Sequence, residues 1–174
     1  TLTTQRFDAF VEIRPGAKRE VENHERVRVH IGTAEVIGKI IILDEREALA
    51  PRSTALCQIV LEEPVVALRG DRFILRNQTA QGTLGGGEVL HPFAQRHRRS
   101  EVGLSDRLTN LRTSDLLQAC RAYLEVQSEF AAPLEEIYQG VNAQEEEIAA
   151  LLARDQEILP LPDQQHPEAY SVTS

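Results

Sequence analysis

The sequence predicts two units of different class: a small all-β sandwich or closed barrel in the first half, then a small α+β unit with the layout of a winged helix. Three observations carry this. Residues 6–92 hold most of the glycines and the β-branched runs, while residues 113–154 follow helical spacing. The charge divides at the same place. Residues 1–100 hold 15 Lys and Arg against 13 Asp and Glu, and residues 101–174 hold 4 against 14, so the halves carry +2 and −10. An asymmetry of that size marks units with different partners.

In the first half, segments 7–13, 27–31, 36–43, 55–61, 72–75 and 84–90 alternate or run apolar at strand length. Turn residues punctuate them: Arg14-Pro15-Gly16, Ala50-Pro51-Arg52-Ser53, and Arg69-Gly70-Asp71, where glycine can supply a positive φ. Pro64 has no N–H to give a sheet, so it should end or bend the strand before it. Arg96-His97-Arg98-Arg99 then opens a polar connector, and the boundaries are drawn at 1–95 for the β unit, 96–112 for the linker and 113–174 for the α+β unit.

The first helix is expected from Thr113 or Ser114, either of which can cap its free N–H groups, with Asp115 at the positive end of the dipole. Leu116, Cys120, Tyr123, Leu124 and Gln127 fall on one face of it. A second helix fits 133–138, with Pro133 at its first position and Gly140 as its C-cap. Asn142 is expected to cap a third helix, 143–154, whose Ile148, Leu151 and Leu152 share a face. Extended pieces at 157–161 and 169–172 flank a proline-containing turn, which completes three helices and a β-hairpin.

Composition excludes several classes. The 174 residues carry a formal charge of −8 and a pI near 5.2, with 41% hydrophobic and 26% charged residues, values of an ordinary globular chain. No apolar run approaches the ~20 residues that span a bilayer. No basic-then-apolar leader opens the chain, so no membrane or secretory role is expected. Cys57 and Cys120 are too few for a disulfide framework and are not at metal spacing, which points to a reducing cytoplasm and to buried packing. The chain contains no Met. Thr1 therefore follows a processing event or begins a piece of a longer protein.

Candidate chemical motifs are sparse. Gly85-Gly86-Gly87 could cradle an anion through successive N–H groups. No helix and no Lys follows it, so a close approach of strands is the better reading. His24 and His30, like His91 and His97, are six positions apart, and no Cys or carboxylate completes a metal set. Arg69-Gly70-Asp71 is a turn here rather than an attachment motif. No carboxylate pair sits beside a nucleophile, and no catalytic residue is assigned.

More specific are His30-Ile31-Gly32-Thr33-Ala34-Glu35-Val36, the run from Leu61 to Leu68, Gly70-Asp71-Arg72-Phe73-Ile74-Leu75-Arg76, and Thr83-Leu84-Gly85-Gly86-Gly87-Glu88-Val89-Leu90, in that order. Together they resemble the bacterial selenocysteine-specific elongation factors, over nearly the whole chain. The resemblance implies a six-stranded β-barrel similar to the third domain of elongation factors, followed by the first of the family's winged helices. It implies a factor that binds GTP, carries selenocysteinyl-tRNA to the ribosome, acts as a monomer in the cytoplasm, and reads a messenger RNA hairpin through terminal winged helices. The sequence lacks G-x-x-x-x-G-K-[ST], so GTP and magnesium are expected in an upstream domain, and the mRNA-binding part downstream of Ser174. No cofactor, metal or enzyme activity is assigned to these 174 residues.

Position by position, the resemblance places the tRNA backbone against Arg76, Asn77, Gln78 and Thr83, with His30, Gly32 and Thr33 as a second edge. An Arg neutralises phosphate, and amide, hydroxyl and backbone N–H groups bond phosphate and 2′-OH without reading a base. The residues Arg96, His97, Arg98 and Arg99 are a further RNA candidate, balanced by a solvated-linker reading. Glu145-Glu146-Glu147 at the start of the third helix oppose phosphate, so this winged helix is expected to act as a spacer or to face protein. The competing reading is a winged-helix transcription regulator with a β-barrel sensing domain. It requires residues 113–174 to bind duplex DNA.

Overall fold

The computed structural model describes residues 1–79, 81–127, 130–161 and 169–173. Its contacts divide the chain into two compact units, Thr3–Val102 and Gly103–Ser174 together with Thr1–Leu2. In chain order the first unit holds β1 (Thr4–Ile13), β2 (Val21–Glu22), β3 (Arg26–Ile31), β4 (Ala34–Ile42), β5 (Ala48–Leu49), β6 (Thr54–Val65), β7 (Arg72–Asn77) and β8 (Thr83–His91). Strands β1, β6, β4, β3, β7 and β8 pair in that order, each antiparallel to its neighbour, and β8 returns to β1 to close the barrel. All six expected strands are present, each somewhat longer than its apolar segment. β2 and β5 form a separate two-stranded ribbon, too short for periodicity to betray.

Alternation explains the closure. Along β3 the order exposed, buried, half-buried, buried places Val27, Val29 and Ile31 inside, and β7 does the same with Phe73 and Leu75. Phe7, Ile40 and Ile59 fill the interior with them, and Phe7 meets Phe73 edge-on at 5.4 Å between centroids. Closing the sheet also removes its unpaired edges.

Two breaks behave as their residues require. At Pro64 the strand bends rather than ends. Between Thr4 and Arg6 of β1 the partner register jumps from Val65 to Val60, and Glu62, Glu63 and Pro64 all face solvent. Gly70 turns the chain into β7 at φ +88°.

Gly85-Gly86-Gly87 sits inside β8, between β1 and β7. A side chain on Gly85 would strike the Glu12 carbonyl, and one on Gly87 the Phe10 carbonyl and the Phe73 ring. The run is a close strand contact, and it offers no phosphate cradle.

The second unit holds α1 (Leu104–Asn110), α2 (Leu116–Val126), β9 (Ala131–Pro133), α3 (Leu134–Gly140), α4 (Glu145–Arg154), β10 (Ile158–Leu161) and β11 (Ala169–Val172). The antiparallel sheet β10-β11-β9 with α2, α3 and α4 makes the winged helix, and α1 adds a fourth helix in front. The expected turn at 162–168 lies outside the described residues. The segment 96–112, expected as a linker, is parted by the structure. Its first residues bond to the barrel, as in Ser100 N–H to the Leu43 carbonyl, and 104–110 form α1 in the second unit.

Three capping expectations are corrected. Asp115 caps α2, accepting from the Gln118 N–H at 2.9 Å, while the Thr113 hydroxyl accepts from the Asp115 N–H. Asn142 takes φ +61° just after α3 and donates to the Gln139 carbonyl, so it closes α3 instead of opening α4, whose N-cap is Gln144. Gly140 is the last residue of α3, not its cap. It is glycine because the Tyr123 ring lies where a Cβ would be.

Candidate nucleic-acid interface

Period-2 alternation gives the barrel a polar outer face. On β3 it presents Arg26, Arg28 and His30, and on β7 Arg72, Ile74 and Arg76. The register sets Arg28 beside Arg76 and His30 beside Ile74. Arg28 reaches Glu35 Oε1 from one terminal nitrogen at 3.1 Å, and from Nε and the other nitrogen reaches the Gln78 carbonyl at 3.4 and 3.1 Å. It therefore holds the loop after β7 against β3. Arg76 Nε is buried and makes no hydrogen bond among the described residues. His30 Nε2 lies 3.8 Å from Glu35 Oε1, too far for a hydrogen bond and close enough for an ion pair when the ring is protonated.

The loop itself is built by Asn77. Its Oδ1 accepts from the Gln81 N–H at 2.8 Å and the Thr79 hydroxyl at 3.2 Å, and its N–H donates to the Gly82 carbonyl. Of the side chain's polar atoms only Nδ2 stays available for a ligand. Thr83 pairs with Arg76 across the strands. Asn77 and Thr83 line one wall of a groove of about 630 Å³, and residues 14–19 form the other. Arg14 and Lys18 stand on that wall, exposed and without a side-chain partner among the described residues, whereas Arg19 is held by Glu25 at 2.7 Å.

Gly32 and Thr33 lie elsewhere. They form the two-residue hairpin between β3 and β4, with Gly32 at φ +56° in its first central position. Val27 pairs with Asn77 and Ile31 with Phe73, so the hairpin is at the opposite end of β3 from the loop, about 17 Å along the strand. The structure brings Arg76, Asn77, Gln78 and Thr83 together. His30 lies between the two ends, and Gly32 and Thr33 form a separate edge.

Of the residues 96–99, His97 is a structural residue. Its Nε2 meets Asp8 Oδ2 at 2.6 Å, with the two side chains 6% and 0% exposed. Gln58 Nε2 donates to the other Asp8 oxygen at 2.9 Å and to the Gln95 carbonyl at 2.8 Å, and Arg6 donates to Gln58 Oε1. Burial raises the Asp8 pKa above 3.8, against the opposing pull of the His97 hydrogen bond. Arg99 pairs with Glu47 at 2.6 Å and donates to the carbonyls of Asp44 and Arg46. Arg96 and Arg98 stay exposed.

Sequence reading named Arg76 and missed Arg28, Arg14 and Lys18. The alternation Arg26-x-Arg28-x-His30 was a usable signal for Arg28. Arg14 and Lys18 gave none, because a closed barrel juxtaposes residues 60 positions apart in ways the chain order hides. No group of three His, Cys, Asp or Glu converges as a metal set among the described residues. Cys57 and Cys120 are buried and not joined in a disulfide, and burial pushes the Cys57 thiol up to about 12, which disfavours its thiolate at neutral pH. No described helix is long and apolar enough to cross a membrane.

Fold and surface together define a class: a closed antiparallel β-barrel like the third domain of elongation factors, followed by a winged helix. Within that class, residues 9–96 match the family model described as "Selenocysteine-specific elongation factor, beta-barrel domain", and the chain belongs to that family. The chain is 33% identical over 79 residues to the selenocysteine-specific elongation factor of Desulfomicrobium baculatum, covering 45% of this chain and 12% of that protein. It is 34% identical over 89 residues to that of Haemophilus influenzae, covering 49% and 14%. The crystal structure of the bacterial selenocysteine-specific elongation factor EF-Sec superposes with a TM-score of 0.62 at 18% identity, over 98% of this chain and 24% of that one. The matched stretches thus span about an eighth of the length of these curated relatives. The fold likeness extends through the winged helix, beyond the family match.

Proposed function

We propose that the barrel binds the phosphate and ribose backbone of selenocysteinyl-tRNA and that the winged helix connects it to mRNA-hairpin-binding domains that follow in the longer factor. The observation that carries this is the groove between residues 14–19 and the loop after β7. There two cations without a side-chain partner among the described residues, Arg14 and Lys18, face Asn77 and Thr83, and Arg76 is the cross-strand neighbour of Thr83. Cations, an amide and a hydroxyl around a groove suit a phosphate backbone and carry no base-edge code. In this reading the chain is a non-catalytic part of a cytoplasmic factor that works on the ribosome. This reading assigns GTP and magnesium to an upstream domain, and it is supported by the place of Gly85-Gly86-Gly87 inside β8 rather than in a phosphate-binding loop.

The test is a titration of the 174-residue chain with selenocysteine tRNA at two salt concentrations. Arg14→Ala with Lys18→Ala should weaken binding about tenfold and lower the salt slope by about 1 to 2, equally for tRNAs with altered stem sequence. Unchanged affinity in the double variant sinks the proposal.

A further inference from the structure

A second basic surface lies on the barrel, lined by none of the residues that line the groove above. The pairing registers put Arg26 beside Lys39, Lys39 beside Val60, and Val60 beside Arg6, a single row across β3, β4, β6 and β1. Strands are spaced ~4.8 Å, so the row runs about 14 Å from Arg26 to Arg6. A groove of about 440 Å³ follows it, and Arg96 overhangs the same groove. Among the described residues that line it, four cations face one carboxylate, Glu62, which pairs with Arg26 at 2.6 Å. Lys39 and Arg96 are exposed and have no side-chain partner among the described residues.

The cations differ in preparation. Arg6 is half-buried and steered by its bond to Gln58, whose own amide is fixed by Asp8 and the Gln95 carbonyl. That buried network costs the barrel a desolvated carboxylate, yet it directs one guanidinium to the groove wall and pins the segment from which Arg96 projects. Between the charges the groove wall is apolar, with Ile41 and Val60 half-buried. A line of spaced cations over an apolar strip fits a chain of phosphates with sugars between them, and a planar guanidinium matches phosphate in two-pronged fashion.

We propose that the row Arg6, Lys39, Arg26 with Arg96 binds a stretch of RNA phosphate backbone along its own groove, whether or not the Arg14–Thr83 groove holds another. The RNA is either a further part of the same tRNA or ribosomal RNA. The proposal goes beyond the tRNA reading and stands or falls separately, because it shares none of the residues that the first test alters.

The experiment uses the full 174-residue chain, its Lys39→Glu/Arg96→Glu variant and the single variant Arg96→Ala, titrated against deacylated tRNA and against purified ribosomes at low and moderate salt. Both positions are exposed, and a thermal unfolding midpoint equal to the parent's certifies the fold. The expected result is a loss of about tenfold or more on one probe with the charge reversal, a smaller loss with Arg96→Ala, and a salt slope lowered by 1 to 2. Loss on tRNA alone assigns the tRNA body, and loss on ribosomes alone assigns ribosomal RNA. Affinities within twofold of the parent on both probes overturn the proposal, as does a parent chain that binds neither probe at low salt. Failure of the Arg14/Lys18 variant to change tRNA binding refutes the first reading and leaves this one standing.

Discussion

The two units solve the problem of a small core in opposite ways. The barrel has no free edge, and its interior is a continuous set of alternate residues from six strands. The winged helix has a three-stranded sheet with open edges and relies on α2, whose Ala119, Cys120, Ala122, Tyr123 and Leu124 are buried against its neighbours. Charge follows the same division. The barrel leaves cations exposed without a side-chain partner among the described residues, Lys39 on β4 and Arg14, Lys18 and Arg96 beside its strands, whereas the second unit places three acids, Glu145 to Glu147, on the first turn of α4, where they stabilise the positive end of the helix dipole. A total charge of −8 therefore says nothing about either surface alone.

The comparison breaks most visibly at β8. Gly87→Val would drive a side chain into the Phe10 carbonyl and the Phe73 ring, and we expect a loss on the order of 3 kcal/mol or more from the barrel alone. Circular dichroism should then lose strand signal while the helical bands persist. Simultaneous loss of both would make the two units one cooperative body.

Next in size is Asp8→Ala, which strands buried His97 and Gln58, and a cost of about 3 kcal/mol in urea unfolding is expected. An Asp8→Ala barrel as stable as the parent would show the network to be idle.

Acid sharpens the contrast. Asp8 has its pKa raised by burial, so between 3.8 and that raised value the folded chain holds a proton the unfolded chain lacks, and stability falls as pH rises through this window. Asp155 of the second unit is lowered, chiefly by its Arg121 hydrogen bond, so its contribution is present above 3.8 and is lost as pH falls through the lowered value. Carboxyl titration by NMR should find Asp8 above and Asp155 below the free value. The reverse order would contradict the geometry of both.

The smallest effect is expected at α4. Glu145→Gln, Glu146→Gln and Glu147→Gln together should leave the fold intact, cost a few tenths of a kcal/mol in dipole stabilisation and give no duplex-DNA binding in a gel shift. Salt-sensitive retardation by the triple variant would reopen the competing regulator reading.

Much of this was legible because alternation and turn chemistry are local. Each barrel strand announced itself, and so did the positive φ at Gly70. What escaped has local causes too. α1 is seven residues long, and its N-cap, Gly103, has no side chain to bond the first turn, so Leu104–Asn110 read as linker. β9 is Ala131-Ala132-Pro133, three residues whose pairing with β11 depends on a strand 36 positions later. At the site, Arg76-Asn77-Gln78 was visible as a polar strand end. Its partners Arg14 and Lys18 were not, since only barrel closure brings residues 14–19 to the loop after β7.

Closure also has a mechanical consequence. Because β1 pairs antiparallel with β8, Asp8 lies beside His91, and the chain enters and leaves the barrel at neighbouring points. A pull between those points would open the β1–β8 seam one bond at a time instead of shearing it as a block. The Asp8–His97 contact and the Ala94 N–H bond to the Arg6 carbonyl stand directly in that line of force. They act as a latch, so tension arriving from the C-terminal side meets this pair before it reaches β8.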